Sequence, residues 1–262
     1  MRSRNAVLLL TLVALVVSCA APRRASSPAA RESALRVGTN GDSPPYAFRR
    51  GGQLVGLEID LARELGTALG RQVEVADLPW DGLFDALLGR KVDVVMAGVT
   101  VTPDREVRLA FAQPYLRTTL TVLIRRQDAN RFRSRATVCE SPIDVGVVAG
   151  TTGEKQLRER CPAMVPRLYP TAGDAVGELR GYRIDAVVHD GPVVAWLQSR
   201  YEAELQILPT QIADERLAWA LRPEDAALKG RLDAALTAMR ANGTLDRILG
   251  RWVAAGDRLP PS

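Results

Sequence analysis

The chain has 262 residues, of which 47% are hydrophobic and 25% charged, and it carries a formal charge of +5. That length suits one large domain or two small ones. Its basic residues are scattered among Asp and Glu, only Lys91, Lys155 and Lys229 are lysines, and no aromatic residues interleave with a basic patch, which argues against a surface for nucleic-acid strands.

The N-terminus reads as a targeting segment. Arg2 and Arg4 precede an apolar run over residues 6–17, too short for a comfortable membrane span and suited to the core of a signal peptide. Val16-Val17-Ser18-Cys19 resembles a bacterial lipoprotein box, which implies removal of residues 1–18 and a lipid on Cys19. Loss of Arg2 and Arg4 lowers the formal charge from +5 to +3. Residues 19–34 are rich in Ala, Ser, Pro and Arg and read as a flexible tether. No later stretch is long and apolar enough to cross a bilayer. In the oxidising compartment that export implies, Cys139 and Cys161 are either a disulfide pair or two buried thiols.

A first strand is expected over residues 35–40, then a loop through Asp42, Ser43, Pro44 and Pro45. Ile59, Leu61, Ala62, Leu65 and Leu69 recur at helical spacing, and Gly70 is a stop signal. Residues 73–75 return to strand character, residues 80–89 form a second amphipathic helix, and residues 92–96 form a buried strand. This β-α-β-α-β order predicts a largely parallel sheet. Residues 118–126 are β-rich, and residues 128–141 read as polar and irregular. A second unit then repeats the first: a strand over residues 143–148, a glycine-bearing turn, a helix from Glu154, another helix over residues 171–179, and a strand over residues 184–188. Gly89-Arg90-Lys91-Val92-Asp93-Val94-Val95 matches Gly181-Tyr182-Arg183-Ile184-Asp185-Ala186-Val187, so two similar α/β lobes are implied. Residues 217–221 are strand-like, and helices over residues 226–240 and 245–253 flank Asn242-Gly243. The C-terminal piece is expected to return to the first lobe. Two strands then cross between lobes, near residues 116–121 and 208–214, as a hinge.

The central stretch is Ala97-Gly98-Val99-Thr100-Val101-Thr102-Pro103-Asp104-Arg105, where a strand opens into Gly and Thr and then offers an Arg. Gly98 allows close approach to the backbone, Thr100 offers a hydroxyl and an amide, and Arg105 can grip a carboxylate in a bidentate fork. Asp190 follows a run of apolar strand residues, at the end of a parallel sheet where ligands bind. Gly150-Thr151-Thr152-Gly153 lacks the Lys-Ser/Thr ending of a nucleotide loop. Glu58 and Asp60 stand at a helix start and read as complements to its dipole rather than as catalytic acids. His189 is the sole histidine and has no metal-ligand cluster around it, so it reads as a pocket or core residue. No metal or cofactor is expected.

Taken in order, these motifs, with Pro44-Pro45-Tyr46, Gly56-Leu57-Glu58-Ile59-Asp60, Trp80-Asp81-Gly82-Leu83 and Asn242-Gly243-Thr244-Leu245, resemble the family 3 extracellular solute-binding proteins, the polar amino-acid receptors of ABC importers. The resemblance implies an α/β, two-lobed periplasmic-binding-protein-like fold of type II. Its expected parts are a signal peptide (1–18), a lipid-anchored tether (19–34), a first lobe from 35–118 and 211–256, a second lobe from 119–210, and a tail (257–262). It further implies that Arg105 binds a ligand carboxylate with help from Thr152 at a helix N-terminus. Thr100 and the Gly98 carbonyl would meet the ligand backbone, Asp190 would pair with its ammonium group, and Trp80 and Tyr46 would line the side-chain pocket. Ser43 stands where many such receptors carry an aromatic residue, and Asn40 where receptors for cationic amino acids often carry Asp.

The function expected is a monomeric, lipid-anchored receptor on the periplasmic or extracytoplasmic face. It would bind a small zwitterion and deliver it to a permease in the inner membrane. Two other readings accompany it. One is an enzyme like the periplasmic cyclohexadienyl (arogenate or prephenate) dehydratases, which resemble this fold but need a general acid that Gly191-Pro192-Val193 does not offer. The other is a sensor domain for a different membrane partner.

Overall fold

The computed structural model describes residues 34–258 with the exception of Arg133. The expected signal peptide, Cys19, nearly all of the tether and residues 259–262 lie outside the described residues. The described chain opens with β1 (Leu35–Thr39) and a small antiparallel sheet of β2 (Asp42–Ser43), β3 (Ala47–Arg50) and β4 (Gln53–Val55). Helix α1 (Leu57–Leu69) forms because Leu57, Leu61, Ala62 and Leu65 share one buried face, and it stops at Gly70, whose φ of 64° is left-handed. Then come β5 (Val73–Asp77), a tight turn at Trp80–Gly82, α2 (Leu83–Leu88), β6 (Val94–Val95), α3 (Pro103–Glu106) and β7 (Ala110–Phe111). The helix expected over residues 80–89 is thus a 3-10 turn followed by a short α-helix.

The second half runs through β8 (Leu116–Arg125), α4 (Arg135–Glu140), β9 (Val145–Val148), α5 (Thr152–Arg160), β10 (Arg167–Tyr169), α6 (Ala172–Arg180), β11 (Ala186–Asp190), α7 (Gly191–Ser199) and β12 (Leu205–Leu217). The chain closes with β13 (Ala220–Leu221), α8 (Ala226–Ala241) and α9 (Thr244–Trp252). Helix α4 corrects the reading of residues 128–141 as irregular. Ser134 and Thr137 cap each other reciprocally there, and Cys139 is joined by a disulfide to Cys161 at the end of α5. Helix α7 was also not expected; it begins at Gly191 with Pro192 in its first turn, where proline is tolerated.

One sheet has the order β5-β1-β6-β13-β7, with β5, β1 and β6 parallel and β13 antiparallel to both its neighbours. The other has the order β10-β9-β11-β8-β12, with β10, β9 and β11 parallel and β8 antiparallel to β11 and β12. Both sheets are therefore mixed rather than largely parallel, because returning chain adds antiparallel strands to each parallel trio. Strands β8 and β12 pair along their length, and their ends reach the first sheet, where the Ala218 N–H donates to the Val99 carbonyl at 2.9 Å.

Helices α1, α8 and α9 bury Leu61, Leu65, Leu232, Leu236 and Ile248 in one apolar core with Leu35 and Val37 of β1. Val145, Val147, Leu157, Ala186 and Val188 form a second core under α5. Each of the buried Val, Leu and Ile side chains contributes on the order of 2 kcal/mol by leaving water. Among the described residues no helix is long and apolar enough to cross a membrane.

Candidate functional site

The C-terminal ends of β6 and β11 face one another across a cleft. All seven residues expected to meet a ligand line it: Tyr46, Trp80, Gly98, Thr100, Arg105, Thr152 and Asp190. Asn40, Asp42, Ser43 and His189 line it too.

From the first sheet, the chain leaves β6, passes Gly98 and Thr100, and enters α3, where the Thr102 hydroxyl caps the helix by accepting from the Arg105 N–H at 3.3 Å. This cap fixes where the Arg105 side chain begins. Its guanidinium donates to the Thr100 carbonyl at 2.9 Å and reaches the Gly150 carbonyl of the second lobe at 3.5 Å. It also lies 5.5 Å from the ring centres of Trp80 and Phe84. Arg105 forms no ion pair with a described carboxylate. Burial draws its pKa down, against the pull of Glu215 and Asp190, but an arginine stays charged under such conditions. The site thus presents a partly desolvated cation with donors to spare.

Gly98 has a φ of 66°, and a Cβ there would stand 2.5 Å from the Tyr46 ring. The absence of a side chain at Gly98 therefore makes room for the Tyr46 ring. The Gly98 N–H donates to Glu58 at 2.7 Å, and the same carboxylate accepts from the Tyr115 hydroxyl at 2.6 Å and the Trp219 indole at 3.2 Å. Glu58 stands in the first turn of α1, as expected of an acid that complements the helix dipole, and is also a buried hub beneath the site. Asp60 does face outward, to Arg251 and Trp252. Burial raises the Glu58 pKa, and its three donors oppose the rise.

From the second sheet, β11 is buried along its length and ends at Asp190. The Tyr46 hydroxyl donates to Asp190 at 3.0 Å, a hydrogen bond between lobes. His189 Nδ1 accepts from the Asp190 N–H at 2.8 Å and stands 3.2 Å from the Asp190 carboxylate. Burial would raise the Asp190 pKa, but His189, Tyr46 and Glu215 outweigh it and hold the carboxyl below its ordinary value. Burial and the Asp190 charge push the Tyr46 phenol well up, so it remains a neutral donor. Trp80 lines the cleft and also packs on the core that holds Leu83 and Val95.

Glu215 went unnoticed in the sequence. It is buried on β12, and its Oε1 accepts the Thr100 hydroxyl at 3.0 Å and the Thr152 hydroxyl from α5. The Thr100 hydroxyl, expected at a ligand, thus points to Glu215, as does that of Thr152, whose amide is the group expected there. The signal was present in the period-2 alternation of β12, where Glu215 and Leu217 are inward and Asp214 and Arg216 outward. Lys155 of α5 also reaches across to Asp104 of α3. Among the described residues no His, Cys, Asp and Glu cluster could hold a metal ion.

A cleft between two α/β lobes, lined by an unpaired cation and a buried anion and crossed by two long strands, defines a small-molecule binding protein of the two-lobed, periplasmic-binding-protein-like (type II) fold. The family model for bacterial extracellular solute-binding proteins, family 3, matches residues 35–255, and the chain belongs to that family. The ancestral amino acid-binding protein AncCDT-1, a precursor of cyclohexadienyl dehydratase, superposes with a TM-score of 0.80 at 32% identity, over 85% of this chain and 96% of its own. An ancestral arginine-binding protein bound to arginine gives 0.79 at 30% identity, over 86% of this chain and 100% of its own. ABC transporter arginine-binding protein 1 of Escherichia coli (strain K12) is 27% identical over 83% of this chain and 90% of its own length. These three are binding proteins, and the family to which the chain belongs is one of solute-binding proteins.

Proposed function

We propose that the cleft captures a small zwitterion, an amino acid or a close analogue, and that the protein hands it to an ABC importer. The observation that carries this reading is that Arg105 and Asp190, of opposite charge and from different sheets, line one cleft. Arg105 takes the carboxylate with the amide of Thr152 at the start of α5. Asp190 takes the ammonium with the Gly98 carbonyl, and Thr100 meets the ligand backbone. Trp80 and Tyr46 flank the side chain. Because the two charges come from the first lobe (35–118 and 211–256) and the second (119–210), a dipolar ligand bridges the lobes and favours their closure by contacts that an open form lacks.

In this reading the protein is a monomer on the periplasmic or extracytoplasmic face, held by a lipid on Cys19 after loss of residues 1–18. Mass spectrometry of the membrane fraction tests the anchor: a diacylglyceryl-modified Cys19 is expected, and an unmodified one refutes it. A thermal-shift screen of the standard amino acids tests the ligand. A true ligand at 100 times its dissociation constant stabilises by about 2.7 kcal/mol. Arg105→Ala is expected to abolish that shift, read against the variant's own unliganded melting temperature because the substitution also removes the hydrogen bonds to the Thr100 and Gly150 carbonyls. An undiminished shift overturns the carboxylate role. Turnover of prephenate to phenylpyruvate would instead favour a dehydratase.

A further inference from the structure

One carboxyl group stands where three separate parts of the cleft meet. Glu215 is 3% exposed and belongs to β12, a strand that crosses between the lobes. Its Oε1 accepts from Thr100, beyond β6 in the first lobe, and from Thr152, at the start of α5 in the second. Its Oε2 is buried and has no hydrogen-bond partner as an acceptor. The Asp190 carboxylate is its charged neighbour, close enough for each group to shift the other's proton affinity. Two ionised carboxylates offer each other only lone pairs and like charge. A proton on Glu215 Oε2 resolves both difficulties at once, turning the unpartnered oxygen into a donor to Asp190.

We propose that Glu215 is a positioning residue of the ligand site that works in its neutral, protonated form, accepting from Thr100 and Thr152 while donating to Asp190. It ties both lobes to the anion, and it holds the Asp190 carboxylate for a ligand's ammonium group. This last role rests on the zwitterion reading above; the tie itself does not. The surroundings favour the neutral form. Burial and the Asp190 charge push the Glu215 carboxyl well above its ordinary range, against the two threonine hydroxyls. Asp190 meanwhile accepts from the Tyr46 hydroxyl. Arg105 is the one Arg or Lys among the described residues lining the cleft, and it donates to the Thr100 and Gly150 carbonyls. Tyr115 lies behind, on Glu58. On the far side of Glu215, Lys155 pairs with Asp104 and Glu159, Arg160 donates to Gln156, and Asp214 points outward.

Glutamine is a close mimic of this neutral acid, since its oxygen accepts and its amide donates. The first test needs no ligand. With its folded pKa raised, Glu215 holds a proton that the unfolded chain has lost, so stability falls as pH rises from the ordinary glutamate range toward the raised value. Urea unfolding from pH 4 to 9 is expected to show that decline in the wild type, and Glu215→Gln should remove part of it. Parallel profiles overturn the proposal. The second test is calorimetric binding of L-arginine, then of the other standard amino acids. Glu215→Gln is expected to bind within about threefold of wild type at neutral pH and to lack the wild type's alkaline decline, whereas Glu215→Ala loses roughly tenfold or more. Equal losses in Gln and Ala overturn the neutral role. If no amino acid binds, the zwitterion reading fails, and the unfolding profiles alone decide the tie.

Discussion

The two lobes use the same device to enter their binding strands, and then depart from one another. In the first, α2 ends at Gly89, Arg90 takes a φ of 59°, and Asp93 accepts from the Arg36 N–H of β1 at 3.0 Å. In the second, α6 ends at Gly181, Tyr182 takes a φ of 58°, and Asp185 accepts from the Asp144 N–H at 3.2 Å. A buried arginine from an antiparallel strand region completes each turn. Arg222 donates to the Leu87 and Val92 carbonyls, and Arg125 to those of Leu179 and Ile184. Beyond the turns the symmetry ends. The first strand runs into Gly98, Thr100 and Arg105, and the second into His189 and Asp190. The repeat is thus a scaffold, and opposite charges placed just past it give the cleft its polarity.

The arginines are the place to break the comparison. Arg125 satisfies two carbonyls and ion-pairs with Asp128 at 2.7 Å and Asp185 at 3.0 Å. Arg222 pairs with Asp225 at 2.5 Å, stands 3.8 Å from Asp93, and leaves its Nε without a partner. Removing either strands buried acceptors and a carboxylate, which costs about 3–5 kcal/mol. Arg125→Ala is expected to cost more than Arg222→Ala, because it leaves more groups unpaired. Urea unfolding of both variants checks this, and the reverse order would mean that the two turns are not held alike.

Much of this scaffold is legible in the sequence, because helical and strand periods, glycine stops and the repeated Gly-x-x-x-Asp segment are local signals. Arg105 and Asp190 are legible too, as charges at the ends of apolar strands. Other parts depend on distant partners. Glu58 sits two residues from Asp60 and looks like it, yet one is sealed under Tyr115 and Trp219 while the other faces Arg251. Nothing local separates them. Glu215 owes its meaning to Thr100 and Thr152, far away along the chain. Helix α4 hides in a polar segment because a capping box and a disulfide hold it, and it offers the core only Val138 and Cys139 rather than a periodic apolar face.

Glu58 gives a middle-sized test of what the first lobe has and the second lacks, a buried acid beneath its binding loop. Glu58→Gln presents an amide where donors converge from Gly98, Tyr115 and Trp219, so at least one donor loses its acceptor. The expected loss is about 1–3 kcal/mol of stability. It should come with weaker binding, because Gly98 is no longer held in place. Its pH sign is also fixed. The raised Glu58 pKa makes wild-type stability fall as pH climbs from the unfolded value toward the folded one, and the variant should lack that fall. A variant as stable as wild type across that range would show that the hub is dispensable.

The smallest effect sharpens the comparison most. In both turns the glycine is not the residue with positive φ; Gly89 and Gly181 each have a φ of −78°, and the left-handed place falls to Arg90 and Tyr182. A left-handed conformation costs a side-chain-bearing residue roughly 1 kcal/mol. Arg90→Gly should recover up to about 1 kcal/mol, since the lost pair with Glu224 is exposed and worth little. Tyr182→Gly should recover less or nothing. Its ring lies 4.8 Å from the Arg125 guanidinium, and that contact offsets the strain. Thermal unfolding of the two variants side by side measures the difference. Equal gains would mean that the Tyr182 ring adds nothing to the buried arginine beneath it, and that the two turns are equivalent in energy as well as in shape.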